Sequence, residues 1–238
     1  MRGWWQELAG LVLPVDCAGC GAARVLLCAG CREALSGAGA GRVRPSPAPV
    51  GLPVVHAAAG YEGAVRAVLL AHKERGALPL AGALGHALAA AVLAGGGGPG
   101  EREVALVPVP SARRQVRARG HDPARRIALA AAGRLRRAGV PARVVPVLRL
   151  RRAVADQAGL GAGARRENLA GALEVRRGGA RAVAGAAVVL VDDLVTTGAT
   201  LAEAARAVRA AGLGAAGAGP RAAVVAATGG YPKRPKIP

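Results

Sequence analysis

The chain has 238 residues, 52% of them hydrophobic but only 2% aromatic, and 33 Lys+Arg against 14 Asp+Glu give it a formal charge of +19. That length suits one domain of ordinary size plus a small appendage, and the apolar fraction argues against global disorder. No run of 18 apolar residues is present, which excludes a membrane-spanning helix, and the cationic excess points to an anionic partner or substrate.

Leu8 to Val15 has the length of a short signal core, but Gly10 and Pro14 interrupt it. Asp16 stands where a lipoprotein-type cleavage site wants a small residue, so a cytoplasmic protein is expected. Cys17-Ala-Gly-Cys20 and Cys28-Ala-Gly-Cys31 follow, and they hold all four cysteines of the chain. Each CxxC pair lets two thiolates converge on one cation through a tight turn that Gly19 and Gly30 permit. Two such knuckles complete the tetrahedral thiolate set that structural zinc prefers, with Cys17, Cys20, Cys28 and Cys31 as ligands. Two disulfides in a secreted protein are the alternative. A zinc module over residues 1–36 and a Gly/Pro/Ser-rich linker over 37–53 are therefore expected, ahead of a larger domain over 54–229.

In that domain the pattern predicts a strand at Val54–Ala59 and helices at Glu62–His72 and Leu80–Leu93. A flexible loop is expected at Gly95–Gly100. Val104–Val109 is a continuous apolar run, as in a strand buried on both faces. A basic helix is predicted over Pro123–Ala138 and a strand over Arg143–Leu148. Arg149–Gly179 lacks clear periodicity. A strand at Ala186–Val191, a helix at Ala199–Ala211 and a strand at Ala222–Thr228 complete the series. Strands alternating with helices mean an α/β fold with a mostly parallel sheet. Residues 230–238, with Lys233-Arg234-Pro235-Lys236, read as a basic disordered tail.

The charge is uneven. Between Val104 and Arg181, eighteen arginines face four acids, so that stretch carries +14 of the total. A solvated helix face accounts for Arg134, Arg136 and Arg137. The loop-like clusters Arg113, Arg114, Arg117, Arg119 and Arg165, Arg166 look suited to phosphate.

The most informative segment runs Val188-Val-Leu-Val-Asp192-Asp193-Leu-Val-Thr196-Thr197-Gly198-Ala199-Thr200. An apolar strand ends in two carboxylates, and a small-residue turn then opens a helix. Free backbone N–H groups and the helix dipole make an anion site at such a turn. Thr196, Thr197 and Thr200 add hydroxyl donors, and Gly198 lets the chain wrap closely round a phosphate. Aspartates just before the turn can accept hydrogen bonds from ribose hydroxyls. No GxGxxG is present and the Gly-Lys-Ser/Thr ending of a nucleoside-triphosphatase loop is missing.

This segment resembles the phosphoribosyl diphosphate (PRPP) motif of type I phosphoribosyltransferases. Other pieces resemble one branch of them: the paired CxxC module, Tyr61-Glu-Gly63, Lys73 followed by Gly76, Val107-Pro-Val-Pro110-Ser111, Arg113-Arg114, Arg119-Gly120, Gln157 and Arg165-x-x-Asn168-Leu169-x-Gly171. Together they look like the ComF family, phosphoribosyltransferase-like proteins associated with DNA uptake in competent bacteria. Where that family usually reads Arg-Gly-Phe-Asn-Gln, this chain has Arg119-Gly120-His121-Asp122-Pro123, and Val154 stands where a Thr usually precedes the Gln.

The resemblance implies a type I phosphoribosyltransferase fold binding PRPP with Mg²⁺. Asp192 and Asp193 would contact the ribose hydroxyls, and Thr196, Thr197, Gly198, Ala199 and Thr200 would hold the 5-phosphate. Pro110 and Ser111 would form the diphosphate loop with help from Arg113 or Arg114, and Arg165 and Asn168 would belong to a mobile loop closing over the site. The expected function is phosphoribosyl transfer to an unidentified acceptor. The alternative is a non-catalytic single-stranded-DNA-binding or adaptor protein of the uptake machinery on the same fold. A regulator that binds PRPP without turnover fits the same residues.

Overall fold

The computed structural model describes residues 16–96, 98, 102–152, 169–213, 219–229 and 231. It is a mixed α/β structure, with a mostly parallel six-stranded sheet flanked by helices. After the cysteine segment, which includes the short helix α1 (Ala29–Glu33), the chain forms β1 (Gly41–Val43) and β2 (Val55–Gly60). Helices α2 (Gly63–Glu74) and α3 (Ala81–Ala94) follow, then β3 (Val104–Pro108), α4 (Arg113–Arg119) and α5 (Pro123–Arg137). Next come β4 (Ala142–Val144), β5 (Leu148–Leu150), β6 (Leu173–Val175) and α6 (Gly179–Ala182). The last elements are β7 (Ala187–Val195), α7 (Ala199–Ala210) and β8 (Arg221–Ala227).

The strand order is β1-β2-β8-β7-β3-β4, parallel except for β1, and β5 and β6 form a separate antiparallel hairpin. Successive residues of the central strands feed opposite faces, as the two-residue strand period requires. Leu106, Val189 and Val191 pack with α2, α3, α5 and the cysteine segment. Ala105, Val107, Val188 and Leu190 pack with α7 and the β5–β6 hairpin. All five residues of β3 are buried, which is why its sequence is an unbroken apolar run.

The helices follow their local chemistry. On α2, Val65, Val68, Leu69 and His72 form one buried stripe at helical spacing. Asp122 caps α5 by accepting the Arg125 N–H at 3.1 Å, Pro123 opens the helix, and Arg134, Arg136 and Arg137 end it against the dipole.

Several expectations shift. The segment read as a linker supplies β1, which pairs antiparallel with β2, and its Gly51 carbonyl accepts from Arg209. The cluster from Arg113 to Arg119 is helical rather than loop-like, ending at Gly120 in the left-handed region. The strand expected over Arg143–Leu148 is divided: Val145 still bonds to Leu106 of the main sheet, while Leu148 begins the hairpin. The final acidic strand runs on to Val195, because Asp192, Leu194 and Val195 keep their pairing with Val224, Ala226 and Ala227 of β8. Both aspartates therefore lie within β7, not after it. Gln157, Arg165, Arg166 and Asn168, and all of the tail except Tyr231, fall outside the described residues. Tyr231 donates its hydroxyl towards the Gly39 and Ala58 carbonyls at 2.8 and 2.9 Å.

Candidate active site

The sheet order dictates where a cleft opens. From β3 the chain passes through α5 to β4 on one side, and from β7 it passes through α7 to β8 on the other. The connecting helices pack on opposite faces. Beyond the carboxyl ends of β3 and β7 the two connections diverge, which is where open α/β sheets leave a crevice.

A cleft of about 690 Å³ lies there. Pro110, Ser111 and Ala112 form one wall, Asp192, Asp193, Thr196 and Thr200 another, and Tyr61, Lys73 and Glu74 close it from the α2 side. Asp193 is only 5% exposed, yet its Oδ2 accepts from Lys73 Nζ at 2.7 Å. Burial alone would lower the Lys73 ammonium, but the Asp193 and Asp192 carboxylates outweigh it and hold its pKa above the ordinary lysine value. Asp192 accepts the Asp193 backbone N–H at 2.9 Å. Burial, and then the adjacent Asp193 carboxylate, push its carboxyl well above the usual carboxylate range, with Lys73 opposing. The site therefore sets two neighbouring carboxylates beside Lys73, with Glu74 also on its walls.

The turn after β7 divides. Thr196 and Thr200 face the cleft, whereas Thr197, Gly198 and Ala199 are not among its wall residues. Gly198 has a φ of 77°, and a Cβ there would lie 2.9 Å from Leu52 Cδ1. The left-handed backbone is what requires glycine here; the Leu52 methyl, at the end of a flexible side chain, could shift to admit a Cβ. Thr197 Oγ1 accepts from the Ala199 N–H at 3.4 Å.

Arg113 and Arg114 do not reach this cleft. They line an adjoining one of about 1010 Å³, which shares Pro110, Ser111, Ala112, Gln115 and Leu150 with the first. The α4 arginine that does reach the aspartate cleft is Arg119, held by a bidentate pair with Glu74 at 2.8 and 2.9 Å. Behind it, His121 is buried with both ring nitrogens against carbonyl oxygens, those of Arg119 and His72, each at 3.1 Å. The departure at His121 thus packs behind the wall instead of entering the cleft, and Asp122 caps a helix.

Tyr61, Glu74, Gln115 and Arg119 line the cleft, although nothing in the strand–acid–turn pattern points to them. Lys73 is separated from Asp193 by 120 positions, and only the α2 stripe that buries His72 next door aims it there.

The four cysteines form a second constellation. Cys17, Cys20, Cys28 and Cys31 place their sulfurs within 4.8 Å of one another, close enough to hold a metal such as zinc. Zinc–thiolate bonds of about 2.3 Å set tetrahedral edges of about 3.8 Å, so a small contraction suffices. The Cys28 N–H donates to Cys17 Sγ and, with other backbone donors, lowers the Cys17 thiol to about 6, while burial pushes Cys31 up. Gly19 is needed in the first knuckle, since a Cβ would sit 2.5 Å from Cys31 Sγ. Gly30 is not: it lies within α1 with open space about it.

The chain matches no known protein-family model and no curated protein. Among the described residues no helix is long and apolar enough to cross a membrane.

Proposed function

We propose that the cleft beyond β3 and β7 binds PRPP with Mg²⁺, in a ComF-like phosphoribosyltransferase acting in DNA uptake. One observation carries this: the contiguous Asp192-Asp193, Thr196 and Thr200 meet the Pro110–Ala112 segment, about eighty positions earlier in the sequence, around a single cleft at the point where the strand order reverses. In this proposal Asp192 and Asp193 accept from the ribose hydroxyls, and the turn from Thr196 to Thr200 receives the 5-phosphate ahead of α7. Pro110, Ser111 and Ala112 border the diphosphate, with Arg113 and Arg114 just outside.

Lys73 holds the Asp193 carboxylate in place through its ion pair at 2.7 Å. Asp192 and Asp193 supply the hard oxygen donors that suit Mg²⁺, which would neutralise charge on the diphosphate. In transfer, the bond from ribose C1 to diphosphate breaks, an acceptor atom bonds to C1, and diphosphate departs as an anion. The chain's own part is positioning and electrostatic stabilisation, with no covalent nucleophile. The cysteine cluster would hold structural zinc beneath the start of α2, and with it the Tyr61 side of the cleft.

Calorimetric titration of the zinc-loaded protein with PRPP and Mg²⁺ tests the proposal. The parent should bind, and the Asp192→Asn, Asp193→Asn double variant should lose at least about tenfold in affinity while keeping its fold. Equal binding by both proteins would end the assignment.

A further inference from the structure

The cleft adjoining the aspartate site has a different chemistry, and PRPP binding would leave most of it unused. Arg113, Arg114 and Arg117 on α4 form one wall, and Arg149, Arg151, Arg152 and Arg176 from the β5–β6 hairpin form the other. Among the described residues Asp122 is the only acid on its walls, and its carboxylate is already engaged as the α5 cap. Glu174, opposite Arg149 in the hairpin register, takes Arg149 at 2.7 Å and Arg151 at 3.3 Å. Arg152 donates to the Ala170 carbonyl at 3.1 Å. Among the described residues Arg113, Arg114, Arg117 and Arg176 have no ion pair.

Guanidinium groups on two facing walls repel one another and give fork-shaped donors to oxyanions between them. The volume, about 1010 Å³, is that of a small-molecule site. Among the described residues no aromatic side chain lines it, so none of them stacks a nucleobase there, the usual anchor of single-strand binding. Recognition falls on phosphate oxygens alone.

We infer that this arginine cleft is a second, separate anion site for a small ligand carrying a chain of phosphates, held between α4 and the β5–β6 hairpin. It goes beyond the PRPP assignment and does not need it. Sodium tripolyphosphate is the probe, titrated calorimetrically into the full-length, zinc-loaded protein at fixed ionic strength. Arg117→Glu with Arg176→Glu changes one exposed residue on each wall, and thermal melting confirms that the fold is kept.

The double arginine variant should weaken tripolyphosphate by about tenfold or more, while the Asp192→Asn, Asp193→Asn variant keeps it. Tripolyphosphate bound by a protein that ignores PRPP would sink the PRPP proposal and leave this one standing. Three results overturn the inference: no binding by the parent, equal binding by the arginine variant, or displacement of tripolyphosphate by oligothymidylate at equal phosphate concentration, which would make an extended strand the ligand.

Discussion

The two clefts share a wall at Pro110–Ala112 yet handle charge in opposite ways. In the first, a carboxylate that is 5% exposed is matched by one lysine at 2.7 Å, and a second carboxylate beside it is forced upward in pKa by burial. In the second, exposed guanidinium groups outnumber their acids, and salt and water screen each of them. Burial decides what a charge can do. The aspartate cleft places individual charges at defined contacts, as chemistry at a defined atom requires, whereas the arginine cleft makes a field suited to an anion of loose shape.

The largest effect expected from this contrast is at Lys73. Replacing it by Ala leaves Asp193 buried without its cation. Breaking a fully buried pair costs about 3–5 kcal/mol, and the lysine's one-third exposure reduces this to about 1–2 kcal/mol. Lys73→Met, which keeps the stem, should lose nearly as much in chemical denaturation. If Met restored parental stability, packing and not charge would hold this wall.

Much of the architecture is legible in the amino-acid sequence alone. The apolar runs at Val104–Pro108 and Val188–Val191 suit only buried strands, and the caps at Asp122 and Gly198 stand where helices begin. The Asp192-Asp193 and Thr196–Thr200 motif is visible because its parts are contiguous. Contacts across the fold are not. Lys73 on Asp193 and Arg119 on Glu74 depend on how α2 and α4 lean on the sheet.

Glu203 shows the limit most clearly. On sequence it is one charge on an amphipathic helix, yet it is buried, accepts the Leu173 N–H at 2.9 Å and grips Arg206, fastening the β5–β6 hairpin to α7. Helix α4 is obscured for a related reason: four arginines and a glutamine within a few positions of Pro110 look like a solvated loop. The extra residues of β7 are hidden because acids rarely continue a strand, and here β8 supplies the pairing that keeps them in it.

A smaller effect of opposite sign is expected at Asp192. Its folded-state pKa is raised above the ordinary value of 3.8, so the folded protein holds this proton more tightly than the unfolded chain. The stability this gives is present below the ordinary pKa and is lost as pH rises through the folded value. At neutral pH the parent therefore carries a cost that Asp192→Asn removes. In Mg²⁺-free buffer the variant should be more stable by on the order of 1 kcal/mol, shifting the melting temperature by a few degrees. The gain should shrink as the pH falls below the raised folded pKa, where the parent carboxyl takes up its proton, and vanish below the ordinary value of 3.8. A gain independent of pH would assign the effect to packing, and a loss would mean the carboxylate is stabilised by contacts other than those described.

The smallest effect is expected at Arg149, and it completes the contrast with Lys73. The two ion pairs have the same length, 2.7 Å, but Arg149 and Glu174 have side chains 52% and 32% exposed, against 34% and 8% for Lys73 and Asp193. Water screens the exposed pair, and Arg151 remains at 3.3 Å to take over Glu174. Relief of repulsion from the other arginines further offsets the lost attraction. Arg149→Ala should thus change unfolding free energy by no more than about 0.5 kcal/mol, and less still in high salt. Urea titration of both variants in parallel measures the difference directly. A loss at Arg149 equal to that at Lys73 would show that hairpin geometry, and not burial, governs what an ion pair contributes here, and the two clefts would then differ only in sign of charge.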